Sequence, residues 1–184
     1  MLGRVATDEV ATRWQGGEET RRRGGFVAGG KRERIRMAPD EVTSFLAANF
    51  KVQVATVGRD RAPHLVTMFY TLLNGKIAFT TYRASQKVLN LRRDPTMTCL
   101  VEDGTEYDDL RGVALYGRGV VIDDPEPRTK VGMVVGSRMA GLPVPAIGEP
   151  VDPAIAEGIE QALAKRVLIV MEPGNIVSWD HRKI

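Results

Sequence analysis

The chain after residue 36 is divided into short apolar runs with two distinct periodicities. Apolar residues spaced three or four apart indicate helices, whereas short runs rich in β-branched and aromatic residues indicate strands. Pro39, with Asp40 and Glu41 after it, is typical of a helix start. The pattern predicts helices at residues 39–49, 84–93, 127–139 and 154–164, and strands at 52–57, 64–72, 76–82, 96–101, 112–122, 167–171 and 176–179.

The turns between these elements favour antiparallel pairing. Asn74-Gly75 is a tight-turn pair, so the first three strands are expected to form a meander, and Pro173-Gly174 predicts a final hairpin. Gly117 and Gly119 inside the longest strand indicate a bend or bulge. Because hairpins dominate and only one helix separates consecutive strands, we predict a β-rich α+β fold, an antiparallel barrel with peripheral helices, rather than a doubly wound parallel sheet.

Charge divides the chain into two parts. Residues 1–36 hold nine Lys or Arg against five Asp or Glu, together with seven of the 19 glycines, while residues 37–184 hold 17 against 18. We expect 1–36 to be a disordered basic extension and 37–184 to be one domain. The arginines of the extension also suit nucleic acid or anionic lipid, a less favoured alternative because no aromatic residues alternate with them. Met37 is an alternative translation start.

Composition argues against several classes of protein. No apolar run approaches the length of about 18 residues that a membrane helix needs, and the charged N-terminus lacks the apolar block of a secretory signal. We therefore expect a cytoplasmic protein with no membrane span. Cys99 is the single cysteine and is expected in the core, and with two histidines the chain has no ligand cluster at zinc spacing. No metal site is predicted.

An unusual stretch runs from Arg61 to Arg93, where 33 residues contain six cations and no acidic residue. At its centre, residues 80–87 lead from a strand into a helix. The unpaired amides of a helix start, the Ser85 hydroxyl and the cations Arg83 and Lys87 are what a phosphate monoester needs. The alternative is that Ser85 only caps the helix and that the cations form a solvated face.

These residues carry a family resemblance. The motif Ser85-x-Lys87-x-x-Asn90-Leu91-x-x-Asp94-Pro95 follows a strand, residues 63–70 read Pro-His-Leu-Val-Thr-Met-Phe-Tyr, and residues 178–183 read Ser-Trp-Asp-His-Arg-Lys. In this order they resemble the pyridoxamine phosphate oxidase-like split β-barrel superfamily, and more narrowly its flavin/deazaflavin oxidoreductase branch, which uses coenzyme F420. The resemblance covers residues 39–184 and excludes the basic extension.

The resemblance implies a split β-barrel homodimer with two cofactors at the subunit interface and hydride transfer to a small unsaturated substrate. It assigns no catalytic residue, because the cofactor carries the chemistry. By position, it implies that Ser85 and Lys87 hold the cofactor phosphate with Thr80, Thr81 and Arg83 close by, that His64, Thr67 and Phe69 line the ring system, and that Trp179 reaches the cofactor of the partner subunit.

The choice of cofactor depends on charge. Coenzyme F420 carries a glutamyl tail with several carboxylates, and Arg92 and Arg93 supply cations beyond the phosphate position. We therefore favour F420. FMN, which needs only one phosphate site, is the alternative cofactor, and a non-catalytic carrier that binds F420 or flavin is the alternative function.

Overall fold

A computed structural model of the chain describes residues 30–147 and 153–184. A single antiparallel sheet of seven strands forms the body of this part of the chain. The helices are α1 (Lys31–Arg34), α2 (Pro39–Ala48), α3 (Gln86–Arg93), α4 (Pro125–Ala140) and α5 (Pro153–Leu163), and the strands are β1 (Lys51–Val57), β2 (Pro63–Phe69), β3 (Thr71–Leu73), β4 (Lys76–Tyr82), β5 (Thr96–Asp103), β6 (Arg111–Ile122) and β7 (Arg166–Asp180).

The order of strands across the sheet is β2-β1-β5-β6-β7-β4-β3. The two edge strands, β2 and β3, are consecutive in the chain and separated only by Tyr70, so the sheet curls until its edges meet there. Tyr70 is fully buried; its backbone N–H donates to the Phe50 carbonyl at 2.9 Å and its hydroxyl to the Leu46 carbonyl at 2.7 Å. The predicted antiparallel split barrel with peripheral helices is confirmed.

The predicted three-stranded meander is wrong. Residues 64–72 form two strands rather than one, with β2 paired to β1 and β3 paired to β4 at the opposite edge. The break at Tyr70 follows from its buried bonds to Phe50 and Leu46, which are contacts of the tertiary structure. The run contains no glycine or proline that would have marked the break.

The predicted hairpin at the end of the chain is also wrong. β7 is one strand that pairs with β6 from Leu168 to Asp180. The register shifts on the way, since Tyr116 faces Asn175 whereas Gly117 faces Pro173. Gly174 is therefore the extra residue of a β-bulge. A strand tolerates proline at such an irregularity, which explains the neighbouring Pro173. The irregularity predicted near Gly117 is confirmed.

The inner face of the curled sheet holds the main core. α2 closes it with Val42, Phe45 and Leu46, which lie three or four residues apart on one side of the helix. Cys99 is fully buried in this core, as predicted. On the outer face, α4 packs onto β4 and the first half of β7, where its Val131 and Val135 join a smaller cluster with Ala78, Leu168 and Val170.

Part of the predicted extension packs against the barrel. Residues 1–29 lie outside the described residues, but 30–36 include α1, and Ile35 is only 8% exposed. The Ile35 carbonyl accepts from the Asp180 N–H at 2.7 Å, and the Met37 N–H donates to Ser178 Oγ at 3.1 Å. Residues 35–37 thus follow the second half of β7, whose only strand partner among the described residues is β6.

Among the helices that the structure describes, none combines the length and the apolar character needed to cross a bilayer. Within residues 30–147 and 153–184, no three His, Cys, Asp or Glu side chains are grouped as a metal site would require.

Candidate cofactor site

The candidate site lies where β4 leads into α3. The chain turns through Arg83 and Ala84, with the Ser85 N–H donating to the Tyr82 carbonyl at 2.9 Å. Ser85 is the N-cap residue of α3 and its carbonyl accepts from Val88 and Leu89. α3 begins there because an extended serine precedes a run with good helix propensity.

The Ser85 side chain does not cap the helix. It makes no capping hydrogen bond, and its hydroxyl instead lies 3.3 Å from Thr81 Oγ1. The amides of Gln86 and Lys87, in the first turn, therefore have no acceptor from this side chain, and intrahelical bonds do not supply one. The alternative role of Ser85, in which its side chain only caps α3, therefore does not fit the structure, because the hydroxyl contacts Thr81 instead.

Lys87 is a buried cation. Its side chain turns back toward β4, the residue is only 9% exposed, and its Nζ donates to Thr81 Oγ1 at 2.9 Å. In the described part of the chain no carboxylate forms an ion pair with it. Burial lowers the pKa of Lys87 from its ordinary 10.5, and the positive charge of Arg166 lowers it further. Thr81, Ser85 and Lys87 thus form one hydrogen-bonded cluster.

Asn90 fixes α3 against the sheet. It is fully buried, its Nδ2 donates to Thr56 Oγ1 on β1 at 3.0 Å, and its Oδ1 accepts from Gln86 Nε2 at 2.8 Å. The sequence showed Asn90 only as part of a motif, without a role. Asn90 lies three residues after Lys87, and residues three apart are neighbours on one side of a helix. This spacing is the signal in the sequence that both belong to the buried side of α3.

Three further cations near α3 already have partners within the chain. Arg83 forms an ion pair with Asp123, which follows β6, and Arg92 lies 3.6 Å from the same carboxylate. Arg93 donates to the Val57 carbonyl at 2.5 Å. The acid-free stretch therefore receives a carboxylate from a distant part of the chain, which a count along the sequence does not reveal. Arg83 and Arg92 are both close to half exposed, so their ion pairs with Asp123 are weak.

Thr80 does not join the cluster around Lys87. Neighbouring strand residues point to opposite faces, and Thr80 is on the face of Ala78, which packs under α4, whereas Thr81 follows Ile77 and Phe79 of the inner core. Thr80 is buried on the outer face of β4.

The three residues predicted to line the ring system are divided between two faces of β2. Val66 and Met68 pack on the inner core, and His64 shares their parity and pairs with Thr56. Thr67 and Phe69 therefore face outward, where Phe69 stacks on Phe50 with ring centroids 5.7 Å apart. The structure does not bring His64 together with Thr67 and Phe69.

Trp179 lies on the outer face near the end of β7. It pairs with Gly112 of β6, where an added Cβ would lie 2.2 Å from the indole Cζ2. Gly112 thus allows the half-buried indole to lie directly on the neighbouring strand. Trp179 is not part of the cluster around Lys87.

Comparisons with known proteins agree with the fold. A family model described as pyridoxamine 5'-phosphate oxidase matches residues 38–180. Among solved structures, the conserved hypothetical protein Rv2991 from Mycobacterium tuberculosis is 35% identical with a TM-score of 0.73, and the match covers 84% of this chain and 92% of that one. A search of curated proteins finds no match.

Two further structures are more distant. An FAD-binding protein (mll6688) from Mesorhizobium loti is 16% identical with a TM-score of 0.58, over 77% of this chain and 94% of that one. An F420 reductase is 22% identical with a TM-score of 0.50, over 72% and 93%. At these identities the two likenesses concern the fold alone. The family model, which spans most of the barrel, shows that the chain belongs to the pyridoxamine 5'-phosphate oxidase family.

Proposed function

We propose that the protein is an oxidoreductase that holds coenzyme F420 with its phosphate at the junction of β4 and α3, and transfers a hydride to a small unsaturated substrate. The bound coenzyme supplies the hydride chemistry. The observation that carries the proposal is Lys87, a buried ammonium with a hydroxyl partner and no counter-ion among the described residues.

The environment of Lys87 is unfavourable unless an anion binds there. A desolvated charge is costly when it is unpaired, and Arg166 adds a like charge nearby. A phosphate would accept hydrogen bonds from Lys87, from the Ser85 hydroxyl and from the first amides of α3, whose helix dipole also favours negative charge. Thr81 would keep the lysine directed toward this position.

The alternatives within the same fold are FMN and a non-catalytic carrier. The cluster of Thr81, Ser85 and Lys87 suits either cofactor, since both carry a phosphate, and the distant relatives include an FAD-binding protein as well as an F420 reductase. Arg83 and Arg92 favour F420, because its extra carboxylates can compete with Asp123 for these half-exposed guanidinium groups.

A homodimer is part of the proposal, and the outer face of the sheet supports it. α4 packs on β4, on the first half of β7 and on the nearby ends of β2, β3 and β6. On the remaining side, Leu65 of β2, Tyr116 of β6 and Val177 of β7 are 64%, 46% and 46% exposed. An apolar surface of this kind on a barrel is typical of a protein–protein interface.

Gln53 lies at the centre of this uncovered face. Across the sheet its row runs through Thr67, Gln53, Leu100, Ala114 and Val177. Its Oε1 is buried and has no hydrogen-bond partner within the described residues. The apolar residues exposed around this row support a second copy of the chain as the occupant of the face. Trp179 on the same face could then reach the partner's cofactor.

A cofactor titration tests the proposal. We expect F420 fluorescence to report saturable binding, weakened about 10- to 100-fold by Lys87→Ala, the loss of one charge-assisted contact. Lys130→Ala is the matched control, because Lys130 is a partly exposed lysine paired with Glu126 on α4. Binding of FMN but not F420 would select the first alternative. Binding of F420 without turnover of any acceptor in a panel of enones and quinones would select the carrier.

A further inference from the structure

A cavity of about 400 Å³ lies at the end of β4 opposite Lys87. It is lined by residues of the 33–38 segment, α2, β3, the β3–β4 turn and the second half of β7, and by Lys183. It therefore lies between β3 and the second half of β7, beneath the N-terminal segment that runs along β7. Its volume falls within the range of about 300 to 1,000 Å³ that is usual for small-molecule sites.

The walls of the cavity are largely apolar. Met37, Val42, Leu46, Leu72 and Ile176 line it, and all five belong to the inner core or pack against it. The hydrophobic effect therefore favours an apolar ligand over water in this space.

Two hydroxyl groups lie beside this apolar lining, and that of Thr43 donates to the Pro39 carbonyl at 3.0 Å. Ser178, on β7, also lines the cavity, and its Oγ accepts from the Met37 N–H at 3.1 Å. Its own hydroxyl proton has no acceptor within the part of the chain that the structure describes. A hydroxyl donor beside an apolar wall provides orientation for a ligand that carries one acceptor atom.

The charged groups at the mouth balance one another. Lys183 Nζ lies 2.6 Å from Glu41 Oε2 and donates to the Arg36 carbonyl at 3.0 Å, while Glu41 also accepts from the Ala38 N–H at 2.6 Å. Glu33 and Arg36 also line the cavity and add one charge of each sign, so the four charged residues sum to zero and give no strong preference for a charged ligand.

We propose that this cavity binds a neutral, mostly apolar small molecule with a single hydrogen-bond acceptor, such as a ketone or ester carbonyl, which Ser178 orients. The site is separate from the proposed phosphate position. The cavity lies beside the turn that precedes Lys76 at the start of β4, whereas the phosphate position follows Tyr82 at the end of β4. The inference therefore does not depend on the identity of the cofactor.

The probe for the test is prodan, a fluorescent naphthalene that bears a dimethylamino group and a propionyl ketone. Thr43→Phe places a ring at the rim of the cavity from a partly exposed position of α2, and Ser44→Phe places the same ring on the neighbouring exposed position that does not line it. We expect Thr43→Phe to weaken prodan binding about tenfold or more and Ser44→Phe to leave it unchanged. Equal affinities in the two variants would overturn the proposal.

A second pair of variants tests the role of Ser178. We compare the affinity for prodan with that for dimethylaminonaphthalene, which lacks the ketone. The preference for prodan should fall about threefold or more in Ser178→Ala, as expected for one neutral hydrogen bond, and persist in Ser178→Thr. An unchanged preference in Ser178→Ala would overturn the assignment of Ser178. Because each variant is its own control for the two probes, the ratio does not depend on small changes in stability.

Discussion

Lys87 combines burial, a hydroxyl partner and a depressed pKa, and these properties have one physical origin. α3 directs the side chain back toward β4, so the ammonium loses water and gains only Thr81 in return. A lysine on a solvated helix face would keep its ordinary pKa and its mobility. The depressed pKa therefore separates Lys87, a desolvated ammonium, from the lysines of a solvated helix face.

The pH dependence of cofactor binding should reveal this lysine. Raising the pH toward 10.5 removes its proton, and because its pKa lies below that value the loss begins earlier than for an exposed lysine. We predict that F420 binding by the wild type weakens over this range, whereas Lys87→Arg keeps its charge and a flat profile. Fluorescence titrations between about pH 7.5 and 10 measure the two profiles. Parallel profiles would contradict the assignment of Lys87.

Cys99 offers a simple check of core packing. It is fully buried, and burial raises the pKa of its thiol to about 12, so almost no thiolate forms at neutral pH. We expect native protein to react very slowly with Ellman's reagent, and urea-unfolded protein to release one equivalent per chain, since the sequence has one cysteine. Rapid labelling of the native protein would show that the barrel interior opens readily.

At the scale of the elements, the sequence was most informative where a signal is local. The Thr81, Ser85 and Lys87 cluster was predictable because one strand-to-helix junction holds all three. The split at Tyr70 was not, since buried contacts to Leu46 and Phe50 decide it. Pro173-Gly174 has the composition of a turn but forms a bulge, because β6 continues beside it. The sequence did not predict the ion pairs of Asp123 either, because Arg83 and Arg92 lie on other parts of the fold.

The pairing of β6 and β7 should be sensitive to one methyl group. At Gly112 an added Cβ would lie 2.2 Å from Trp179 Cζ2, so we predict that Gly112→Ala lowers the free energy of unfolding by about 1 to 3 kcal/mol in urea titrations. Gly136→Ala in α4 is the control, because no atom lies within 4 Å of its added Cβ. This control should raise the free energy by about 0.5 to 1 kcal/mol. Similar effects at both positions would mean that the indole moves aside easily.

The ion pairs of Asp123 lead to a prediction that rests on the proposed cofactor. Asp123→Asn frees Arg83 and Arg92, so F420 should bind about two- to fivefold more tightly at low ionic strength. The gain should shrink in salt, because these side chains are close to half exposed. Asp103→Asn, which breaks the ion pair to Arg111, is the matched control and should have no effect. Unchanged binding in Asp123→Asn would place the cofactor carboxylates elsewhere.

At the scale of the whole molecule, the proposed homodimer leads to a prediction about the uncovered outer face. Leu65→Arg puts a charge into the apolar surface that contains Gln53, and we predict a monomer by light scattering, with weaker cofactor binding in the same sample. Met139→Arg is the control, because Met139 is similarly exposed, at 61%, but lies near the end of α4. A dimer that survives Leu65→Arg would move the interface to another surface.

The single residue between the two edge strands has a consequence for protein engineering. Phe69 ends β2 at one edge of the sheet and Thr71 begins β3 at the other edge, so Tyr70 alone connects the two edges. Residues added here would push the two edges apart. Tags, reporter insertions or new chain ends should therefore be poorly tolerated at this position. The exposed Gly58–Arg61 turn between β1 and β2 is the better place to open or extend the polypeptide.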